Sequence, residues 1–256
     1  MSKRKQQQRN NERSFDQSFR LKKINPITNT QSDVFDAYYE NYNLFLYGVA
    51  GTGKTYISLY LALKEILNPN TPYRNVYMIR SSVPSRDMGF MPGKLSEKMA
   101  VYEAPYVNMI NDLFSRGDAY QILTLKNVFQ MVSTSFLRGI TFENCIVIAD
   151  EIQNCSFQEL DTLITRIGNN SKVIMCGDVA QNDLNKNKYD ITGFPAFFDI
   201  ISSMEEFDSI EFFPEDIVRS GLVKSYIMAK LKKESGNNYD IKSNYSEVEQ
   251  SLVVTG

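Results

Sequence analysis

The sequence predicts an α/β protein built on a mostly parallel sheet with helices on both faces. Three observations predict it. Short apolar, β-rich runs alternate with helix-like segments, the order that parallel strands joined by crossovers require. The run at 145–149 is apolar without alternation, as a strand covered on both sides should be. A glycine-rich octapeptide stands where the first strand gives way to the first long helical pattern. Apolar residues are 43% of a 256-residue chain, ample for one sizeable core.

Taken in order, residues 1–24 hold eight basic residues against two acidic ones and are rich in Gln and Asn. They read as a flexible basic arm, either a solubilising tail or a segment drawn to phosphate backbones. The organised domain is expected over 25–233. Strands are expected at 44–47, 76–80, 145–149, 172–176 and 210–213, and helices at 54–67, 106–114, 157–166, 195–204 and 216–230. Ser156 and Glu159 form a capping-box pattern ahead of the third helix. Between 116 and 142 the pattern changes, and segments 120–124 and 128–133 read as a small hairpin inserted before the central strand. Six acids between 204 and 216 read as solvated charge, and residues 234–256 as a polar tail.

Composition excludes several chemistries. The chain has no histidine, which removes the Ser-His-Asp triad, Cys/His zinc fingers and HExxH metalloproteases. Its three cysteines, Cys145, Cys155 and Cys176, form no CxxC, so neither a structural zinc nor a disulfide framework is expected. No apolar run approaches the ~18 residues of a membrane span. The amino terminus lacks the apolar core of a secretory signal. A cytoplasmic setting without membrane contact is the expectation.

The chemistry begins with Gly48-Val49-Ala50-Gly51-Thr52-Gly53-Lys54-Thr55, which satisfies GxxxxGK[ST]. Glycines allow a tight turn that aims successive N–H groups at phosphate oxygens, and the helix that follows begins at its positive end. Lys54 should reach the β- and γ-phosphates of ATP, and Thr55 should ligate Mg²⁺. An acid must complete the metal shell. The apolar strand at 145–149 ends in Asp150, placed to do so, and Glu151, placed to orient and polarise an attacking water. Gln181, after the strand at 172–176, falls on the same rim, within reach of a γ-phosphate or that water. Arg166 and Arg219 could neutralise transition-state charge, or could be ordinary helix-end arginines.

From about residue 25 to 230 the chain resembles the PhoH-like ATPases, relatives of superfamily 1 helicase motor cores. The resemblance rests on GVAGTGKT at 48–55, GFMPGKLSEKM at 89–99, RGITF at 138–142, IADEIQN at 148–154, TRIG at 165–168, GDVAQNDL at 177–184 and DIVRSGLV at 216–223. It implies a single RecA-like domain that hydrolyses ATP. Gln31, in INPITNTQ, matches a glutamine that reads adenine. Arg219 matches a late arginine that serves as a finger; with one motor domain it would act across a subunit boundary, which implies a homo-oligomer such as a ring. Phe90, Arg138 and Phe142 match the region that approaches RNA or single-stranded DNA, where aromatics beside arginines could stack bases; both aromatics could equally be core. Two departures bear on nucleic-acid affinity: Arg80-Ser81 where Arg-Pro is common, and Ile140 where a second arginine is common. Longer relatives carry a fused nuclease domain, and no nuclease activity is expected here. A nucleotide-gated scaffold with slow hydrolysis is the rival reading, and a small-molecule kinase a third, disfavoured by Glu151.

Overall fold

The computed structural model describes residues 15, 18–81, 95–178 and 194–234, with the backbone alone for 95–101 and 234. Six parallel strands form one sheet in the order β3-β2-β4-β5-β1-β6: β1 (Asn43–Gly48), β2 (Asn75–Arg80), β3 (Phe129–Ser133), β4 (Cys145–Asp150), β5 (Lys172–Cys176) and β6 (Phe207–Phe212). Helices α1 (Asn29–Tyr39), α2 (Lys54–Ile66), α3 (Leu95–Leu113) and α4 (Ala119–Leu125) cover one face. The other is covered by α5 (Phe157–Ile164), α6 (Phe194–Ile201) and the loop after β3. Helix α7 (Gly221–Glu234) follows β6.

The two faces follow from the order of connections. The chain moves one way along the sheet from β1 to β2 and the other way from β4 to β5. Crossovers of one hand then place α2 and α5 on opposite sides. Strand β4 is buried at every position, as its uninterrupted apolar run requires. Burying each of Ile146, Val147 and Ile148 contributes about 1.5–3 kcal/mol, so β4 is a rigid mount for the two acids at its end. The capping box of Ser156 and Glu159 forms at the start of α5 as the pattern predicts. Among the described residues no helix is long and apolar enough to cross a membrane.

Four expectations are corrected. Segment 116–142 is not a hairpin: residues 119–125 form α4, and β3 pairs in parallel with β2 along the sheet edge. Parallel neighbours need a long crossover, and α3 and α4 supply it. The helix expected at 106–114 is the second half of the 19-residue α3, which runs through Pro105. Segment 216–230 becomes α-helical only at Gly221: Asp216 ends a separate 3-10 turn (Pro214–Asp216), where its carboxylate accepts from the Phe213 N–H and the Thr30 hydroxyl. Part of the basic amino-terminal segment is seated on the domain. Phe19 is buried against Phe114 at 4.3 Å, and Lys22 pairs with Asp112 at 2.7 Å. Residues 1–14 and the tail from 235 lie outside the described residues.

Candidate nucleotide-binding site

Strand β5 is hydrogen-bonded to both β1 and β4, so the carboxyl ends of these three strands lie side by side. What leaves them shares one rim, the position where open parallel sheets hold ligands.

Strand β1 ends at Gly48, with φ of +113° and a Cβ position only 2.1 Å from the Phe212 carbonyl oxygen. Only glycine lets β1 turn there beside β6. Gly53, at φ of +89°, is the N-cap of α2, and no side chain caps that helix. Its first-turn N–H groups face the loop concavity at the positive end of the helix dipole. Lys54, only 8% exposed, lies across the loop and donates Nζ to the carbonyls of Gly48 (3.1 Å) and Val49 (2.7 Å). Burial pushes its pKa down, while Asp178, Cys176, Asp150 and Glu151 pull it back up.

The acids meet this loop from β4. Thr55 Oγ1 donates to Oδ1 of Asp150 at 2.8 Å, and the buried Tyr106 hydroxyl donates to Oδ2 at 2.8 Å. Glu151 follows with φ of 55°, a left-handed conformation that costs a carboxylate residue about 1–3 kcal/mol and concentrates at functional sites. Its Oε2 accepts from Nε2 of buried Gln153 at 2.7 Å, and Gln153 Oε1 accepts from the Asp178 N–H at 2.9 Å. Gln153 thereby ties the ends of β4 and β5 together. Burial raises the Glu151 pKa, Asp150 raises it further, and Arg80 and Gln153 hold it down. Arg80 ends β2 in register with Asp150, and its guanidinium lies 5.9 Å from the Tyr102 ring and 6.0 Å from that of Tyr106.

A second set of contacts holds the loop from outside. Gln31 Nε2 donates to the Thr52 carbonyl at 3.0 Å, and its Oε1 accepts from the Ile27 N–H at 2.8 Å. The Val218 N–H donates to the Gly51 carbonyl at 3.1 Å. The Arg219 side chain lies over Gly51, its Cγ 3.0 Å from the Cβ position there.

The structure thus gathers Lys54, Thr55, Asp150, Glu151, Gln31 and Arg219 around one loop within a single chain. It does not gather Arg166. The Arg166 carbonyl accepts from the Phe142 N–H at 2.8 Å, at the amino end of β4. That is a strand's length from Asp150, about 16 Å at ~3.3 Å per residue. Phe142 is 1% exposed and packs edge-on to Tyr77, so it is core rather than a stacking platform. Arg138 is exposed. Gln181 and Phe90 lie outside the described residues. Sequence reasoning missed Arg80, Tyr106, Gln153 and Asp216. Gln153 stands inside the IADEIQN motif and Arg80 ends a predicted strand, but nothing in the sequence marks Tyr106.

A hydroxyl and a carboxylate meeting beside a phosphate loop are hard oxygen donors that fit Mg²⁺, which takes one or two protein ligands and leaves the rest to phosphates and water. Among the described residues, no group of three or more His, Cys, Asp or Glu side chains could hold a metal ion without such help.

A glycine loop opening onto a helix, with its lysine and threonine facing an acid pair one strand away, defines a P-loop NTPase domain. The family described as PhoH-like protein matches residues 23–230, and the chain belongs to that family. It is 30% identical over 216 residues to a PhoH-like protein of Mycobacterium leprae, covering 84% of this chain and 60% of that one. Identity to a PhoH-like protein of Bacillus subtilis is 30% over 209 residues, covering 81% and 64%. The chain therefore spans about three-fifths of the length of these relatives. Among solved structures it is similar to the Hef helicase domain of Pyrococcus furiosus, with a TM-score of 0.44 and 12% identity over 74% of this chain and 40% of that one. A large terminase from a thermophilic bacteriophage is similar at a TM-score of 0.46 and 10% identity, over 79% of this chain and 50% of that one.

Proposed function

We propose that this chain hydrolyses ATP with Mg²⁺ and couples hydrolysis to an RNA or single-stranded DNA strand. The observation that carries the reading is the 2.8 Å contact between Thr55 and Asp150, residues 95 positions apart, beside Lys54 on an uncapped helix start. In this reading the loop N–H groups and Lys54 bind the β- and γ-phosphates, and Thr55 and Asp150 hold Mg²⁺, which screens phosphate charge when bound. Glu151 takes the proton of the attacking water. Burial and Asp150 raise its pKa, the direction that strengthens a general base. Gln181 contacts the γ-phosphate, and Arg219 neutralises charge from within its own chain. Gln31 steadies the loop through Thr52 and retains a second Nε2 hydrogen for adenine.

For the strand, the exposed aromatic on the segment after β3 is Phe136, 54% exposed and two residues from exposed Arg138. This pair replaces Phe142 as the base-stacking candidate. The test is phosphate release with and without poly-U at low salt. Native protein should turn over and be stimulated, Glu151→Gln should bind ATP without turnover, and Phe136→Ala should lose stimulation alone. Absence of turnover in the native protein would sink the enzymatic half, and absence of stimulation and binding the nucleic-acid half.

One observation favours the rival reading, an oligomer switched by ATP and hydrolysing slowly. Val218, Leu222, Val223 and Tyr226 flank Arg219 with exposures of 37, 83, 41 and 69%. A second copy of the chain would cover this apolar surface. Sedimentation with and without ATP tests it, with ATP-dependent assembly expected.

A further inference from the structure

We propose that Tyr106 is a positioning residue for the metal-binding carboxylate, an inference that rests on the ATPase reading. Asp150 is 6% exposed, and its two oxygens have separate partners: Oδ1 faces Thr55, and Oδ2 receives the Tyr106 hydroxyl at 2.8 Å. A carboxylate turns about its last bond until something fixes it. Here one hydroxyl fixes the oxygen turned away from the phosphate loop, which leaves the other aimed at Thr55. Such a partner behind a metal ligand sets the ligand's orientation.

The surroundings of Tyr106 suit the task. Its side chain is 1% exposed, so the hydroxyl has no water to turn to. The Arg80 guanidinium lies 6.0 Å from its ring and faces Asp150 and Glu151, so the hydrogen bond and a compensating cation reach the acid pair from one side. The helix that carries Tyr106 is seated on the core by fully buried Ile110 and Leu113, with polar contacts at its outer edge. Asp112, six residues on, accepts from Tyr56 of α2 at 2.7 Å and pairs with Lys22 at 2.7 Å. Support of this kind keeps a site in its working geometry.

The test uses the full chain and Tyr106→Phe, which removes only the hydroxyl. A fluorescent ATP analogue is titrated first in EDTA and then at rising Mg²⁺, with Mn²⁺ binding followed by electron paramagnetic resonance. Affinity in EDTA should stay within about twofold of native, while the half-saturating Mg²⁺ and the Mn²⁺ dissociation constant rise about 10–100-fold. Equal losses with and without metal would mean that Tyr106 only packs, and an unchanged metal dependence would likewise overturn the role. Should Tyr106→Phe fail to fold, 3-fluorotyrosine at 106 keeps shape and hydroxyl but strengthens the donor. Half-saturating Mg²⁺ must then shift, and no shift overturns the proposal. Native protein that binds no nucleotide would overturn the ATPase reading and this inference together. Native protein with metal-dependent binding beside an indifferent variant overturns this inference alone.

Discussion

The sheet buries a lysine at each end. Lys54, at the carboxyl end, is 8% exposed, and Lys172, at the amino end, is 4% exposed. Burial lowers the pKa of both. Their surroundings differ. Lys54 is faced by Asp178, Asp150 and Glu151 and lies among backbone carbonyls of a glycine loop. Lys172 donates to the Tyr38 carbonyl at 2.7 Å and lies 4.1 Å over the Tyr38 ring. Burial outweighs the pull of Glu65 and leaves it at about 8. An open polar cleft of about 640 Å³ lies at this second end, lined in part by Tyr42, Tyr73, Lys172 and Glu206. Volume alone therefore does not locate the chemistry. Converging opposite charges, a bare helix start and a strained acid favour the carboxyl end for the proposed chemistry.

The largest expected effects lie at that end. Arg219→Ala should lower the turnover rate by about 10³–10⁵-fold, the range of a charge-stabilising arginine. Lys54→Ala should cost about 10²–10³-fold, the range for one preorganised donor. Lys172→Ala, by contrast, should leave the rate per folded molecule unchanged. Because Arg219 lies over Gly51 of its own chain, mixing Arg219→Ala with Glu151→Gln protein should restore no activity. Recovery in co-assembled mixtures would show instead that the arginine works across subunits.

A smaller effect is expected from Gln153→Leu. This change removes the donor to Glu151 and the acceptor of the Asp178 N–H. Glu151 is already raised by burial and by Asp150, and Gln153 is one of the two groups holding it down. Its loss raises the pKa further. A general base works deprotonated, so activity falls as pH drops through that pKa. The acid limb of the rate profile should move to higher pH. At neutral pH the loss should be smaller than the ~10²–10⁴-fold cost of removing the base itself. An acid limb that stays in place would show that Gln153 only ties the two strands.

The contrast between the two ends also separates what the sequence makes legible from what it hides. The octapeptide at 48–55 and the acids at 150 and 151 are readable because a turn, a helix start and an apolar strand are local patterns. Helix α1 is readable in principle, with the Thr28 cap and Val34, Ala37 and Tyr38 buried on one side, yet the charge of the arm before it masks the pattern. The β-rich look of 120–124 misleads because Tyr, Ile and Thr serve a short crossover helix as well as a strand. The parallel pairing of β3 with β2 depends on the sheet edge, which no local pattern records. Tyr106 and Arg80 meet Asp150 or Glu151 only once β2, α3 and β4 have packed, and Gln153, two residues from Glu151, reaches the Asp178 N–H only once β4 and β5 have paired. Phe142 resembles a base platform because a motif says nothing of burial. Arg166 looks placed for charge because the order of motifs does not reveal which end of a strand a helix returns to.

Lys172 gives the smallest and cleanest contrast. Its folded pKa of about 8 lies below the ordinary lysine value, so above pH 8 the unfolded chain holds a proton that the folded protein has lost. Unfolding then takes up a proton, and this group adds stability as pH rises from about 8 toward its unfolded value near 10.4. Lys172→Met keeps the stem over Tyr38 and removes the titration, at the cost of one of the donors to the Tyr38 carbonyl, which keeps the Asn41 N–H. Denaturant melts of the two proteins should therefore diverge with pH. Native stability should gain about 1–2 kcal/mol on the variant between pH 8 and 10. Buried tyrosines common to both proteins titrate alike and cancel in the difference. A difference that is flat with pH would show that Lys172 keeps its ordinary pKa in the folded protein. The two lysines would then differ in desolvation as well as in their neighbours.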